Sequence, residues 1–388
     1  MNRSGYNLSL AGEAEIAKVL RAARLFGIPA LQTAADGAAE LDFQVAGSWP
    51  EWTGASRFSG PQVTGTAKLR NVRIAVRGAS GPLEILAAEV QLLPDQVRVA
   101  RLSAKAADAI WTGTLQMPRG CGTPEACEIH FNLNADQIAL GRLNEWARPR
   151  PKEQPWYRML QSSPQTAPSF LASLHASGRV TADRLLAQNV VATHVSANVS
   201  LDGGKLKMAD LNADVLGGKH HGAWQADFSV KPAACTGSGT LTGLSLARLA
   251  EAMKDPWIAG TASATYQVSA PAQSAAEFWQ DAEGSLLFDI KDGTLPHIAL
   301  AEDEGPLRMT RLSGQARVHG GKIELHDAKL DSPGGKFLLS GNYSLQRDLD
   351  LKLARTALGA ASGYTITGTV AEPRLTPLAG TEQARLKP

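Results

Sequence analysis

Aromatic residues are scarce in this chain, at 6% of 388 positions, and no run of about 18 apolar residues occurs in it. The first lack argues against one thick core, because the 44% hydrophobic content is carried largely by small side chains, Ala above all. Thin layers suit such a composition better. The second excludes a membrane-spanning helix within the sequence. Neither sign of charge is in excess, since 39 Lys and Arg stand against 37 Asp and Glu. Without a clustered basic face, nucleic acid is not expected as a partner. The N-terminus also lacks the charged, apolar, small-residue order of an export signal. Met1 to Gly5 runs straight into the alternating Tyr6, Leu8 and Leu10, as a strand entered mid-fold would. Either the chain stays in the cytosol or it is the body of a longer protein whose N-terminal anchor is missing, and the second is the expectation.

Cysteine is nearly absent too, with three in the chain. Cys121 and Cys127 enclose a short loop containing Gly122 and Pro124. In an oxidising compartment they would close a hairpin tip as a disulfide; in a reduced cell they are two free thiols. Zinc through Cys121, Cys127 and His130 matches metal-ligand spacings poorly, and Cys235 has no evident partner, so no metal site is expected. Catalytic signatures are missing as well: there is no Gly-x-Ser-x-Gly, no His-Glu-x-x-His and no Cys-His pairing. The glycines of Gly237-Ser238-Gly239-Thr240-Leu241-Thr242-Gly243 are not followed by the helix and acidic residue of a dinucleotide site. Gly334-Gly335-Lys336-Phe337 lacks the spacing and hydroxyl of a phosphate loop. The chain is expected to be no enzyme, with no catalytic residue and no cofactor.

What the sequence does hold is repetition. Three stretches align at their turns. Glu89 to Leu92 turns at Pro94-Asp95 and returns through Val97, Val99, Leu102 and Ala104. Val195, Ala197, Val199 and Leu201 turn at Asp202-Gly203-Gly204 into Leu206, Met208, Leu211, Ala213 and Val215. Leu312, Gly314, Ala316 and Val318 turn at His319-Gly320-Gly321 into Ile323, Leu325, Ala328 and Leu330. Alternation around a turn predicts antiparallel hairpins with one apolar face. In each returning strand the apolar phase slips at the same place, which predicts β-bulges near Ala100-Arg101, Ala209-Asp210 and His326-Asp327. The stretch from Gly37 through Phe43 and Val45 echoes that from Gly260 through Tyr266 and Val268. Apolar spacing of three to four residues predicts short helices over 13–24, 136–146 and 244–253.

The organisation read from these echoes is a strand plus short helix over 1–36 that completes a preceding unit, then repeat units at 37–150, 171–258 and 260–378, with a tail at 379–388. A Pro-rich linker at 151–170 separates the first two, and its Trp156 and Tyr157 call for a surface to pack on.

Taken together these pieces resemble the C-terminal region of the AsmA family of bacterial envelope proteins, relatives of TamB. The resemblance is carried by the strand-to-helix elements at Asp136 and Leu244 and by the strand openers at Gly37 and Gly260. It also rests on Gly284-Ser285-Leu286-Leu287-Phe288-Asp289-Ile290-Lys291-Asp292-Gly293, on Asp331-Ser332-Pro333-Gly334-Gly335 with Gly341-Asn342-Tyr343, and on Gly368-Thr369-Val370-Ala371-Glu372-Pro373. It implies an all-β fold with short helices, in which repeating antiparallel meanders curl into an elongated open groove. It also implies a periplasmic protein of outer-membrane homeostasis, anchored in the inner membrane and binding or conducting phospholipid. The anchoring helix of the family is not in this sequence.

Such a groove needs apolar side chains on one side of many strands, each buried methylene contributing about 0.8 kcal/mol. The candidate lining is Val195, Val199, Leu206, Met208, Trp224, Phe228, Ala316, Val318, Ile323, Leu325, Phe337 and Tyr343. Phospholipid or another acyl lipid is the expected partner, with protein partners in the envelope unidentified. The same alternation suits a structural or adhesive scaffold whose apolar face is closed and dry, as in a β-sandwich, and sequence alone does not separate the two. Lys205, Lys207, Lys219, His220 and His221 cluster in the second unit as rim candidates for lipid phosphate, although Lys on a solvated strand face is the ordinary explanation.

Overall fold

The computed structural model describes residues 5–25, 34–48, 62–76, 79–119, 121, 127–147, 174–230, 232–271, 275–300, 305–344, 347–356 and 363–378. The linker at 151–170 and the tail at 379–388 lie outside them. Among the described residues there are 20 strands and four short helices. The fold class is the expected one: all-β with short helices, in open antiparallel meanders. The chain packs as two compact units, Met1–Leu185 with Ser196–Leu206, and Leu186–Val195 with Lys207–Pro388.

The first unit contains β1 (Gly5–Glu15), α1 (Ile16–Leu25), β2 (Ala35–Ser48), β3 (Gln62–Ile74), β4 (Leu83–Leu92), β5 (Gln96–Ala106), β6 (Ala109–Pro118), β7 (Glu128–Ala139) and α2 (Leu140–Ala147). From β1 to β7 each strand pairs antiparallel with the next, and no described pairing joins β7 back to β1. Directly opposed residues share a face, so the pairings trace rows across the sheet. One row runs Gly12, Leu41, Ala67, Val90, Val99, Leu115, Phe131. The alternate residues, such as Glu40 and Lys68, which are ion-paired at 3.3 Å, face the other way. Ile16 of α1 is buried with Ala39, Leu69, Val72 and Ile85 on the apolar side. At the β6–β7 end a disulfide joins Cys121 to Cys127, with Cα atoms 5.4 Å apart.

β8 (His175–Ala187), β9 (Val190–Asp202) and β10 (Lys205–Val215) are divided between the units. The second unit continues with β11 (Gly218–Asp227), β12 (Ala234–Ser245), α3 (Leu246–Ala252), β13 (Ala259–Pro271), α4 (Ala275–Gln280), β14 (Glu283–Leu295) and β15 (Leu307–His319). It ends with β16 (Lys322–Ser332), β17 (Gly335–Ser344), β18 (Asp348–Arg355), β19 (Gly363–Thr369) and β20 (Pro373–Pro377). From β11 to β20 every described pairing again joins strands that are neighbours in sequence.

The bulges fall where the apolar phase slips. Register shifts between Val99 and Leu102 and between Leu325 and Ala328, and Arg101, Asp210 and Asp327 take φ of 50°, 50° and 46°. Three more left-handed residues interrupt strands without a phase signal strong enough to read: Asn71, His194 and Asp292. All but Arg101 are Asn, Asp or His, the side chains that best tolerate this backbone region. Gly37 lies against the Asn71 carbonyl and Gly260 against the Lys291 carbonyl beside Asp292, which gives the echo of the two strand openers a common cause. The expected helices form as α1, α2 and α3, each starting a few residues late because the strand before it runs on. α4 was not expected.

Candidate functional site

The second unit carries an apolar face that can be read row by row. The outermost row runs Trp224, Gly237, Val268, Gly284, Val318, Ile323, Tyr343, Leu349. Next to it lie Gly222, Gly239, Tyr266, Leu286, Ala316, Leu325, Gly341, Leu351, Ile366. A third row begins His220, Leu241, Ala264, Phe288 and resumes past the Asp327 bulge as Ala328, Leu339, Leu353. A fourth holds Leu244, Ala262, Ile290, Leu312, Leu330, Phe337. The first three contain no Lys, Arg, Asp or Glu at the positions named.

Burial rises from the first row to the fourth. In the first row Trp224, Val318, Ile323, Tyr343 and Leu349 are half-buried, whereas Val268 is buried. Leu330 and Leu353, in contrast, keep 2% and 1% of their surface. The deep end is filled by the chain itself. Leu246 of α3, Ile258 and Ile298 pack there with Leu307, Met309, Leu330, Leu353 and Ile366.

Two contacts hold that filling in place. Trp257, just before β13, stacks on Tyr343 of β17 with ring centroids 6.2 Å apart and planes 20° from parallel. Asp255, the one buried charge among the described residues, accepts from Arg347 Nη1 at 3.1 Å, while Arg347 Nη2 donates to the Met253 carbonyl at 2.9 Å. The pair ties the end of α3 to the β17–β18 turn. Ser245 starts α3 by accepting from the Arg248 backbone N–H.

At the shallow end sits a polar and aromatic cluster. Trp224 Nε1 donates to the Tyr266 hydroxyl at 3.1 Å, and that oxygen lies 2.8 Å from His220 Nε2. If Tyr266 donates its proton, His220 accepts through Nε2 as a neutral imidazole. Burial lowers the His220 pKa, the Leu211 carbonyl opposing and His221 assisting. Burial likewise raises the Tyr266 pKa against the Trp224 hydrogen bond, and raises that of Tyr343. Phe278 of α4 packs onto Trp224 at 6.1 Å, beside Val268, Ala270 and Ala282.

Seven of the lining residues chosen from sequence are thus set on common rows: Trp224, Val318, Ile323 and Tyr343 on the first, Ala316 and Leu325 on the second, Phe337 on the fourth. Ala316 and Phe337 are buried at 1% and 4%. Val195 is buried, and Met208 and Phe228 half-buried, elsewhere in the second unit; Val199 and Leu206, both half-buried, belong to the first. The basic cluster is split by the pleat. His220 faces the apolar side, whereas Lys219 and His221 oppose Thr242 and Thr240 on the other, with Lys219 3.9 Å from Asp214 and His221 2.9 Å from Asn212. Gly237 and Gly239 form a floor: a Cβ on Gly237 would come within 2.5 Å of the Trp224 indole, and one on Gly239 within 3.1 Å of His220. Cys235 opposes Ala226 and Ala270 on the apolar side, its thiol pKa raised by burial.

Sequence reasoning missed Tyr266, Phe278, Trp257 and the Asp255–Arg347 pair. Tyr266 had a signal, the echo with Phe43; the pair, 92 residues apart, had none. The polar side of the same strands bears an open concavity of about 610 Å³ lined by Thr240, Thr265, Leu287 and Gln315 among others. Leu287 is exposed there, and Asp289, Arg311 and Lys329 bring charge to the same lining. Among the described residues no group of three or more His, Cys, Asp or Glu is placed to hold a metal, and no helix is long and apolar enough to cross a membrane.

Comparison with protein families matches residues 142–334 to the AsmA family. No curated protein and no solved structure matches the chain. The matched stretch takes in β11 to β16, which contribute most of the apolar rows. The chain belongs to the AsmA family, a bacterial envelope family with a role related to outer-membrane biogenesis.

Proposed function

We propose that the chain works in the periplasm as a lipid-handling scaffold and binds or conducts phospholipid acyl chains along the apolar face of its second unit. The observation that carries this reading is the gradient of burial across the rows. The row from Trp224 to Leu349 stays half-buried except at Val268, on a sheet that no described pairing closes; the second and third rows mix half-buried with buried residues, and burial is nearly complete in the fourth. That row crosses the strands from β11 to β18 at a spacing of about 4.8 Å, roughly 34 Å in all, and is uncharged throughout. About ten methylenes laid on it would gain several kcal/mol after ordering costs, enough for occupancy and weak enough for exchange. The reading is not enzymatic, and it includes attachment of the full-length protein to the inner membrane, as the family resemblance implies.

The test is site-specific photo-crosslinking in cells. A photoreactive residue at Val318 or Ile323 should give phospholipid adducts, and one at Arg317 or Glu324, on the opposite face, should give none. Equal labelling on both faces, or none on either, would refute the proposal.

A second reading, a scaffold with a closed dry face, is favoured by the filling of the deep rows by α3, Ile258 and Ile298. Under it Leu325→Asp would unfold the second unit through a buried unpaired charge, whereas an accessible face would tolerate the change with modest loss.

A further inference from the structure

Aromatic residues make up 6% of the chain, yet the rings of Tyr266, Trp224, Phe278 and Trp279 follow one another with centroids 6.2, 6.1 and 5.2 Å apart. The His220 imidazole extends the line 5.9 Å beyond Tyr266. Successive planes are inclined by 31°, 44°, 43° and 88°, so the array bends instead of stacking flat. The Trp224 indole covers Gly237, which sets one of its π-faces against the backbone and turns the other away from the sheet. Trp224 and Tyr266 are half-buried and Trp279 is 46% exposed, so the array is reachable from solvent.

The hydrogen bonds decide which charge such an array attracts. The Trp224 N–H is already given to Tyr266, and His220 Nε2 is engaged with the same hydroxyl. What remains open is acceptor capacity on the Tyr266 oxygen and the negative faces of the rings. No cation shares the rows beside them, and burial keeps His220 toward its neutral form. Among the described side chains of this cluster an anionic group would find no free donor. A cation would find π-faces and an oxygen.

We propose that this cluster receives the ammonium end of a zwitterionic, ethanolamine-type lipid whose acyl chain follows the outermost row. The inference rests on the acyl-binding reading and adds to it a headgroup and a direction: the polar end of the lipid at α4, the tail pointing toward Tyr343.

The experiment titrates the delipidated chain with lysophosphatidylethanolamine and with lysophosphatidylglycerol of the same acyl length, following tryptophan fluorescence. The ethanolamine lipid should bind about tenfold more tightly, the factor expected of one or two desolvated cation–aromatic contacts. Phe278→Leu and Tyr266→Phe, each checked for native thermal unfolding, should bring the two affinities together while leaving that of the glycerol lipid unchanged. A packing role alone would shift both affinities alike, and that outcome would overturn the proposal. Equal affinities in the unmodified chain would overturn the headgroup assignment and leave the acyl reading standing; failure of both lipids to bind would remove both. Free phosphoethanolamine binding as tightly as the lipid would exclude a lipid source for the ammonium group.

Discussion

Replacing Arg347 by alanine should destabilise the second unit more than replacing its partner, and the asymmetry follows from where each charge sits. Asp255 keeps 9% of its side-chain surface and Arg347 keeps 39%. Removal of Arg347 strands a buried carboxylate and also strips the Met253 carbonyl of its donor. Breaking a fully buried pair costs about 3–5 kcal/mol; because water can follow partly into the space of a side chain as exposed as Arg347, about 2–3 kcal/mol is expected here. Asp255→Ala leaves a guanidinium that can turn to solvent, at about 1 kcal/mol. The double variant should then be more stable than Arg347→Ala alone, since the stranded charge is gone. Urea unfolding followed by fluorescence measures this, with the transition of the second unit assigned through Trp257→Phe, which removes the ring stacked on Tyr343. Equal losses in the two single variants, or a double variant at the sum of both, would refute the argument that burial of Asp255 controls the cost.

Acid should weaken the second unit through His220. Its folded pKa lies below the ordinary 6.5, so between the two values the unfolded chain takes up a proton that the folded chain refuses. The stability is complete above pH 6.5 and falls as pH drops below it, and a thermal-unfolding series in which His220→Asn leaves that fall unchanged would exclude His220 as its source. In the sealed rows, Leu330→Ala should cost about 3 kcal/mol by creating a cavity, and Leu325→Ala, half-buried, clearly less; the order of their urea midpoints tests the burial gradient. Arg101→Gly should stabilise the first unit by about 1 kcal/mol by relieving the left-handed backbone at φ 50°, with a lowered melting temperature as the contrary result.

Local pattern carried most of the fold. Hairpins, helices and bulges are set by interactions a few residues long, and a phase slip such as that from Val99 to Leu102 is visible because every later side chain depends on it. The site was legible only as a face. Alternation marks Phe337 and Ile323 alike as apolar and inward, yet one is buried in the core and the other half-open. That difference depends on Leu246 of α3 and Ile258 joining Phe337 in one buried cluster, and the sequence bears no sign of a contact made across so many strands. The basic cluster failed for the converse reason. Neighbours in sequence on a strand point to opposite faces, so His220 and His221 do not share a surroundings.

The division of the apolar face into sealed and half-open rows resolves a physical tension. A single-layer sheet whose apolar side stays accessible forgoes the burial that would stabilise it, and at a few tens of calories per Å² the loss over many strands would exceed the margin by which domains fold. Here the deep rows, with Leu246 of α3, Ile258, Ile298 and Met309, supply a buried apolar core at one end of the strands. The same strands then extend their other ends, from Leu325 to Ile323 or from Leu339 to Tyr343, into rows that need not be filled for the fold to hold. Each strand is anchored where it is dry. A ligand-accessible row is thereby compatible with a stable protein, and mutations in that row should change binding more than folding.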